Sequence, residues 1–236
     1  VYHQRSGIEL EPPFTAFKRP RCFHPDDGLR VFHSTCPLIN SGNGLNRDDS
    51  NFGNLNKGRT DQTVPNAWGG YMDAGDWDRR AQHLVASQLL LELAWYFPDH
   101  FAGVDLNIPE SGGALPDIVD EALFGIDFFR RMQTPEGGIR GGVESEEHPR
   151  LGEGSWQESL TALAYAPGAW SSCYYAGVAA RAAHWLRSHG HEDRARVYEK
   201  SAVRAVEWAE EELERRSAAG AFVRPFPWGR SALAGC

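Results

Sequence analysis

An all-α fold is what this chain predicts, and three features carry the prediction. Apolar residues recur at helical spacing in four stretches beyond residue 77. The strand signal is weak throughout. Towards the end, a compact, mostly apolar helix is followed at short range by an amphipathic one, which reads as a helical hairpin with an inner and an outer member.

Residues 1–70 are rich in Gly, Pro, Asn, Asp and Ser. Pro12-Pro13, Pro25-Asp26-Asp27-Gly28 and Ser41-Gly42-Asn43-Gly44 are turn chemistry, so this part reads as a long irregular region. Residues 78–97 are apolar almost all round, as expected for a helix buried on most sides. A second helix is expected from Pro116, a favourable first-turn residue, with Asp117, Asp120 and Glu121 near its positive end. Val119, Ala122, Leu123, Ile126 and Phe129 then mark its inner face. The third, over 169–188, is rich in Ala and Gly, with Gly190 where the chain would stop. The fourth, over 193–216, sets Ala195, Tyr198, Ala202, Val206, Ala209 and Leu213 against a strongly charged face. No exact internal repeat is present.

With 236 residues, 41% of them hydrophobic, the chain can bury one substantial core. Its formal charge of -8 is spread along the sequence, which argues against nucleic acid as a partner, since phosphate binding needs clustered Lys and Arg. No window approaches the roughly 18 apolar residues of a membrane span. No export leader is visible, but residue 1 is Val, so a secreted or periplasmic location is expected if a leader has been lost, with a cytoplasmic one as the alternative. Cys22, Cys36, Cys173 and Cys236 show no CxxC pairing and read as buried or incidental thiols.

Chemistry concentrates in Gly69-Gly70-Tyr71-Met72-Asp73-Ala74-Gly75-Asp76-Trp77. Two carboxylates three residues apart sit in a glycine-bearing turn just before a buried helix. Such a turn can aim both at one cavity, and Gly75 leaves room for a ligand near the backbone. Inverting hydrolysis of a glycosidic bond needs a carboxylate that deprotonates water and a carboxylic acid on the other side of the bond. The competing reading makes Asp76 a helix N-cap and Asp73 a turn stabiliser.

Further matches decide between them. Gly69 to Asp76 resembles the GGW-x-DAGD signature of glycoside hydrolase family 9, and Leu115-Pro116-Asp117-Ile118-Val119-Asp120-Glu121-Ala122 resembles its LPDILDE helix start. Met132-Gln133 with Gly137-Gly138-Ile139, Ala164 to Pro167 with Tyr175 to Ala180, and Tyr2-His3-Gln4-Arg5-Ser6-Gly7 are similar to further family segments, all in family order. The resemblance implies part of a six-hairpin (α/α)6 barrel with cleft loops at one end. It divides the chain into a loop-rich segment carrying the catalytic base, 1–76, and helical hairpins, 77–236. It makes Asp76 the general base and Asp73 a holder of the nucleophilic water. Trp68, Tyr71 and Trp77 flank them, as sugar platforms or as core packing. His148 and Trp156 are further sugar-contact candidates, in a stretch that also reads as a solvated loop.

The chain departs from the family in three ways. The family's general acid, a Glu late in a longer domain, has no counterpart here: Glu210, Glu211 and Glu212 fall on a charged helix face, and the end, Arg224 to Arg230, lacks family character. The chain is therefore expected to be incomplete, or a non-catalytic carbohydrate-binding remnant. Family members hold a structural zinc with two Cys and two His, yet Ser6 stands at the first Cys. Cys22, His24, His33 and Cys36 are acceptable ligand types at a different spacing. Calcium, common in the family, has no locatable ligands, and no cofactor is required. Finally, Trp77-Asp78-Arg79-Arg80 is similar to a subgroup acting from chain ends on glucosamine oligomers, for which Asp78, Glu144, Glu146 and Glu147 would suit a cationic sugar. Asp78 also suits the helix N-terminus. The expected substrates are thus β-1,4-glucan or, alternatively, chitosan oligosaccharides.

Overall fold

The computed structural model describes residues 1–38, 51–73 and 79–219. It corrects the all-α expectation, because a five-stranded mixed sheet accompanies the helices. Five strands, β1 (Val31–Pro37), β2 (Arg59–Thr63), β3 (Arg79–Arg80), β4 (Gly142–Ser145) and β5 (Ala162–Ala166), form one sheet in the order β2-β1-β5-β4-β3. β1 and β5 run parallel, with Val31 opposite Ala162 and His33 opposite Ala164, while the other pairs are antiparallel.

The strands escaped notice for physical reasons. Every residue of β4 is buried, and β5 is buried except at its last position, so neither alternates polar with apolar along the chain. β2 is the reverse case, an almost wholly exposed edge of polar residues. β5 also reads Ala-Leu-Ala-Tyr-Ala, which is helix-forming composition. Sheet pairing overrides it.

The helices are α1 (Asn51–Lys57), α2 (Leu84–Tyr96), α3 (Pro98–Phe101), α4 (Asp117–Arg131), α5 (Ala169–Ser188) and α6 (Glu192–Ala218). α2 is shorter than the expected 78–97, because Arg79 and Arg80 pair with β4 and Ala81–His83 make a 3-10 turn. It is also less covered than its composition predicts. Leu84, Ser87, Leu91 and Ala94 face the core, whereas Val85, Leu89, Leu93 and Tyr96 are exposed.

α4 begins as expected, with Pro116 before its first turn. Val119, Ala122, Leu123, Ile126 and Phe129 are buried. Asp117 does more than favour the helix dipole: its Oδ2 accepts from the Leu106 amide at 2.8 Å and from the Ser111 hydroxyl, which ties down the preceding loop. The α5–α6 hairpin matches its expected bounds to within two residues. α5 buries Tyr175, Val178, Ala179, Ala182 and Leu186, and α6 meets it with Ala195, Tyr198, Ala202, Ala205 and Ala209. Alanines at these positions let the two backbones approach closely. Gly190, at φ +82°, turns the chain between them. Glu212 pairs with Arg215 and Arg216 on α6, in keeping with a charged face rather than a catalytic acid. Cys22 and Cys36 are buried and outside any disulfide, whereas Cys173 is disulfide-bonded, which corrects its reading as a thiol. Cys236 and the stretch Arg224 to Arg230 lie outside the described residues. Among the described residues no helix is long and apolar enough to cross a membrane.

Candidate active site

The segment leading to Asp73 is fixed from both sides by backbone bonds to the chain's N-terminal segment. The Ser6 amide donates to the Gly70 carbonyl at 2.8 Å, and the Met72 amide to the Gln4 carbonyl at 2.8 Å. Gly70, at φ +76°, lies against Phe128 so closely that a Cβ would sit 2.8 Å from its ring. Only glycine fits that combination of left-handed backbone and contact.

Two buried arginines complete the frame. Arg5 places Nε and Nη2 at 3.3 and 3.1 Å from the Glu121 carboxylate, Nη1 at 3.0 Å from Glu110, and its guanidinium 4.3 Å from the Phe124 ring centre. A buried charge needs such pairing, so Arg5 fastens the N-terminal segment to α4. Arg79 donates from Nη1 to the Ser6 hydroxyl at 3.1 Å and to the Gly69 carbonyl at 3.3 Å.

Tyr71 is the anchor of the segment. Its ring is buried, its hydroxyl donates to the Glu121 carbonyl, and burial with the nearby Glu121 carboxylate pushes its pKa well up. Gly125 of α4 makes room for it: a Cβ there would lie 2.7 Å from the Tyr71 ring. Of its two expected roles, Tyr71 therefore fills that of core packing. His83, which the sequence reading passed over, sets Nδ1 3.0 Å from the Tyr71 carbonyl. Because a carbonyl only accepts, that nitrogen carries the proton. Burial holds the His83 pKa below the ordinary value, with Arg80 and Arg79 acting the same way, while the Tyr71 carbonyl and the Asp73 carboxylate act against it. The one sign of His83 in the sequence is an ionisable residue at the start of an otherwise apolar helix.

Asp73 emerges from this frame into solvent, two residues beyond the Tyr71 anchor. Asp76, Trp77 and Asp78 lie outside the described residues. Trp68 is half-buried, with the Arg131 guanidinium 4.2 Å over its ring and the His24 ring edge-on at 4.5 Å. Trp156 is the more available platform, 50% exposed on the rim of a cavity of ≈ 360 Å³ whose lining includes His24, Arg30 and Glu158. His24 lines that cavity and touches Trp68, so both tryptophans border one turn. His148 is exposed in the loop after β4.

The acidic candidates separate. Glu144 is fully buried, paired with Arg80 and accepting from the Tyr165 hydroxyl, which removes it as a contact for a cationic sugar. Glu146 accepts from the Thr161 amide at 3.2 Å and pairs with Arg59 at 3.4 Å, and Glu147 is exposed. The four zinc candidates are engaged elsewhere. His24 Nδ1 accepts from the Asp26 amide at 3.2 Å, His33 Nδ1 lies 2.7 Å from Arg140 Nη1, and the Cys36 thiol meets the Pro37 carbonyl at 3.4 Å. Burial raises the Cys22 pKa, which disfavours a thiolate ligand. Among the described residues no group of three or more His, Cys, Asp or Glu could hold a metal, so this donor set does not fit a zinc.

No family model matches the chain. Among curated proteins, the xyloglucan-specific endo-β-1,4-glucanase BoGH9A of Bacteroides ovatus is 26% identical over 138 residues, which is 58% of this chain and 20% of that protein. Endoglucanase D of Acetivibrio thermocellus is 36% identical over 72 residues, 30% of this chain and 12% of that protein. Among solved structures, a metagenome-derived glycoside hydrolase family 9 endoglucanase superposes with a TM-score of 0.67 at 24% identity, over 90% of this chain and 34% of its own. A Bacteroides ovatus family 9 structure gives 0.67 at 23%, over 90% and 36%. At such identities the structures speak to fold alone. The chain thus spans a fifth or less of these curated relatives and about a third of the solved ones. In line with its motifs, the chain is similar to glycoside hydrolase family 9 proteins and spans a part of their length.

Proposed function

We propose that the chain supplies the base-bearing part of a hydrolase of β-1,4-linked glucan. The observation that carries this reading is the pinned turn: Tyr71, His83 and the paired N-terminal segment hold the backbone from which Asp73 leaves the protein surface, with Asp76 three residues on. The names of the relatives, which are endoglucanases, support the substrate class.

In this reading Asp76 takes a proton from water as the water attacks the anomeric carbon, and Asp73 holds that water in line. The leaving oxygen is protonated by a carboxylic acid on the opposite face of the sugar, about 6.5–9.5 Å from the base, which leaves room for the water and inverts the anomer. None of these 236 residues is assigned that acid role. Trp156 offers an apolar face for a sugar ring beside the polar groups of its cavity. Glucosamine oligomers are the weaker substrate, because Arg79, Arg80 and Glu144 are all engaged inside the protein.

The test is hydrolysis of cello- and chitosan-oligosaccharides by the protein, with product anomers followed by NMR. Cello-oligosaccharides should be cleaved to the α-anomer, and Asp76→Asn should lower kcat by about 10²–10⁴-fold, the usual worth of a general base. A β-anomer as first product would remove the base role from Asp76. Sugar binding without turnover, unchanged by Asp76→Asn, would make the chain a carbohydrate-binding remnant.

A further inference from the structure

We infer that the cavity beside Trp156 binds an acidic sugar, whose carboxylate meets Arg30 while its ring lies on the indole. This rests on the carbohydrate reading of the site and names a substrate feature which that reading leaves open. Trp156 is 50% exposed on the rim of the ≈ 360 Å³ cavity. Small-ligand sites start at roughly 300 Å³, so a sugar unit fits.

Four charged side chains line the cavity: Arg21, Asp27, Arg30 and Glu158. Three of them are committed. Arg21 donates to the Asp27 carboxylate from Nε and Nη2 at 2.7 and 3.0 Å, and Glu158 Oε1 accepts from the Leu160 amide at 3.0 Å. Arg30 is the exception, with no ion pair or hydrogen bond among the described residues. Its guanidinium lies 5.3 Å over the ring of Phe32, which also lines the cavity. Stacking of this kind holds a cation in place without neutralising it, so its N–H donors stay available. Arg59, over the same ring at 4.9 Å, is paired with Glu146.

An unpaired arginine on an open surface is ordinary. This one shares a concave wall with an exposed indole, which suits a ligand with an apolar ring face and an anionic edge. A guanidinium fork matches a carboxylate through two parallel N–H bonds. His24 adds a neutral donor. Its Nδ1 accepts from the Asp26 amide, so Nε2 carries the hydrogen, and that N–H has no partner among the described residues. A sugar hydroxyl can accept it. His24 also meets Trp68, which opens the segment leading to Asp73, so the cavity touches the frame of the turn. An ammonium-bearing sugar would face the like charge of Arg30, which sets this cavity against glucosamine.

The experiment compares cellobiose with cellobiouronic acid, which carries a carboxylate in place of one hydroxymethyl group. Each is titrated into the protein while the Trp156 indole N–H signal is followed by NMR. The acid should bind about tenfold more tightly at low salt, and the preference should narrow as salt rises. Arg30→Gln should abolish the preference and leave cellobiose binding in place, whereas Trp156→Ala should weaken both sugars, with circular dichroism unchanged in each variant. Equal binding of the two sugars, no binding of the acid, or a preference that survives Arg30→Gln would overturn the inference. So would acetate that matches the acid in affinity, which would make the cavity an anion site indifferent to sugar. Hydrolysis enters none of these readouts. Absent cleavage with the acid preference intact would sink the catalytic reading alone, and cleavage without the preference would sink this inference alone.

Discussion

α2 and α6 are both long enough to contribute several turns to the core, and they differ on the side turned away from it. α6 meets α5 through alanines and Tyr198 and presents Arg and Glu to water, with Arg215 and Arg216 paired to Glu212. α2 presents Leu and Tyr on its outer face and Leu again on its inner one. A helix written for water on one side needs nothing further; a helix apolar all round is written for burial on both sides. The difference teaches that apolar composition alone does not bury a helix face, whereas a charged face reports its exposure directly.

The sharpest way to break the comparison is within α2 itself. Leu91→Ala removes a side chain that is 1% exposed and should cost about 2–5 kcal/mol in urea unfolding. Leu89→Ala, two residues away on the outer face, should stay within about 0.5 kcal/mol in the same assay. Similar losses at both positions would mean that the outer face is already packed. Next in size is Gly125→Ala on α4, whose new Cβ would lie 2.7 Å from the Tyr71 ring, with the Ser87 hydroxyl beside it. Overpacking there should cost about 1–3 kcal/mol and disturb the turn that carries Asp73. A variant as stable as the parent would show that the Tyr71 pocket has slack.

A smaller effect separates the helix ends. His83, just before α2, has its pKa held down by burial, so the folded chain takes up this proton at lower pH than the unfolded chain does. The associated stability is present above the unfolded value of about 6.5 and is lost as pH falls through the folded one. Melting temperature should therefore decline below about pH 6.5, and His83→Gln should flatten that decline. Smallest of all is the Arg187–Glu199 pair between α5 and α6, at 2.8 Å and well exposed. A double-mutant cycle should return a coupling close to zero, falling further in high salt.

The helices were legible because each carries its own period: α4, α5 and α6 appear within two residues of where spacing, Pro116 and Gly190 put them. The sheet was not, because its information is held between distant segments. β3 is two residues long, β4 contains a buried glutamate whose partner is Arg80, and β5 is made of helix formers. Nothing within any one of these windows marks a strand. At the site Gly70 and Tyr71 stood out in the sequence, while the parts that hold their segment did not. Arg5 and His83 matter through Glu121 and the Tyr71 carbonyl, contacts that no local pattern encodes. The zinc candidates show the converse: suitable residue types, of which His24, His33 and Cys36 have contacts of their own.

The parallel pairing of β1 with β5 joins Val31 to Ala162, which closes a loop of about 130 residues. During synthesis the first strand therefore leaves the ribosome long before the neighbour it needs. The α5–α6 hairpin, by contrast, closes across a few residues and can form as soon as it is complete. Pulse-labelled hydrogen exchange during refolding should find α5 and α6 amides protected ahead of those in β1. The turn bearing Asp73, bound to the N-terminal segment, would then be among the later parts of the molecule to acquire its shape, so a ligand that grips it would select for chains that have finished folding.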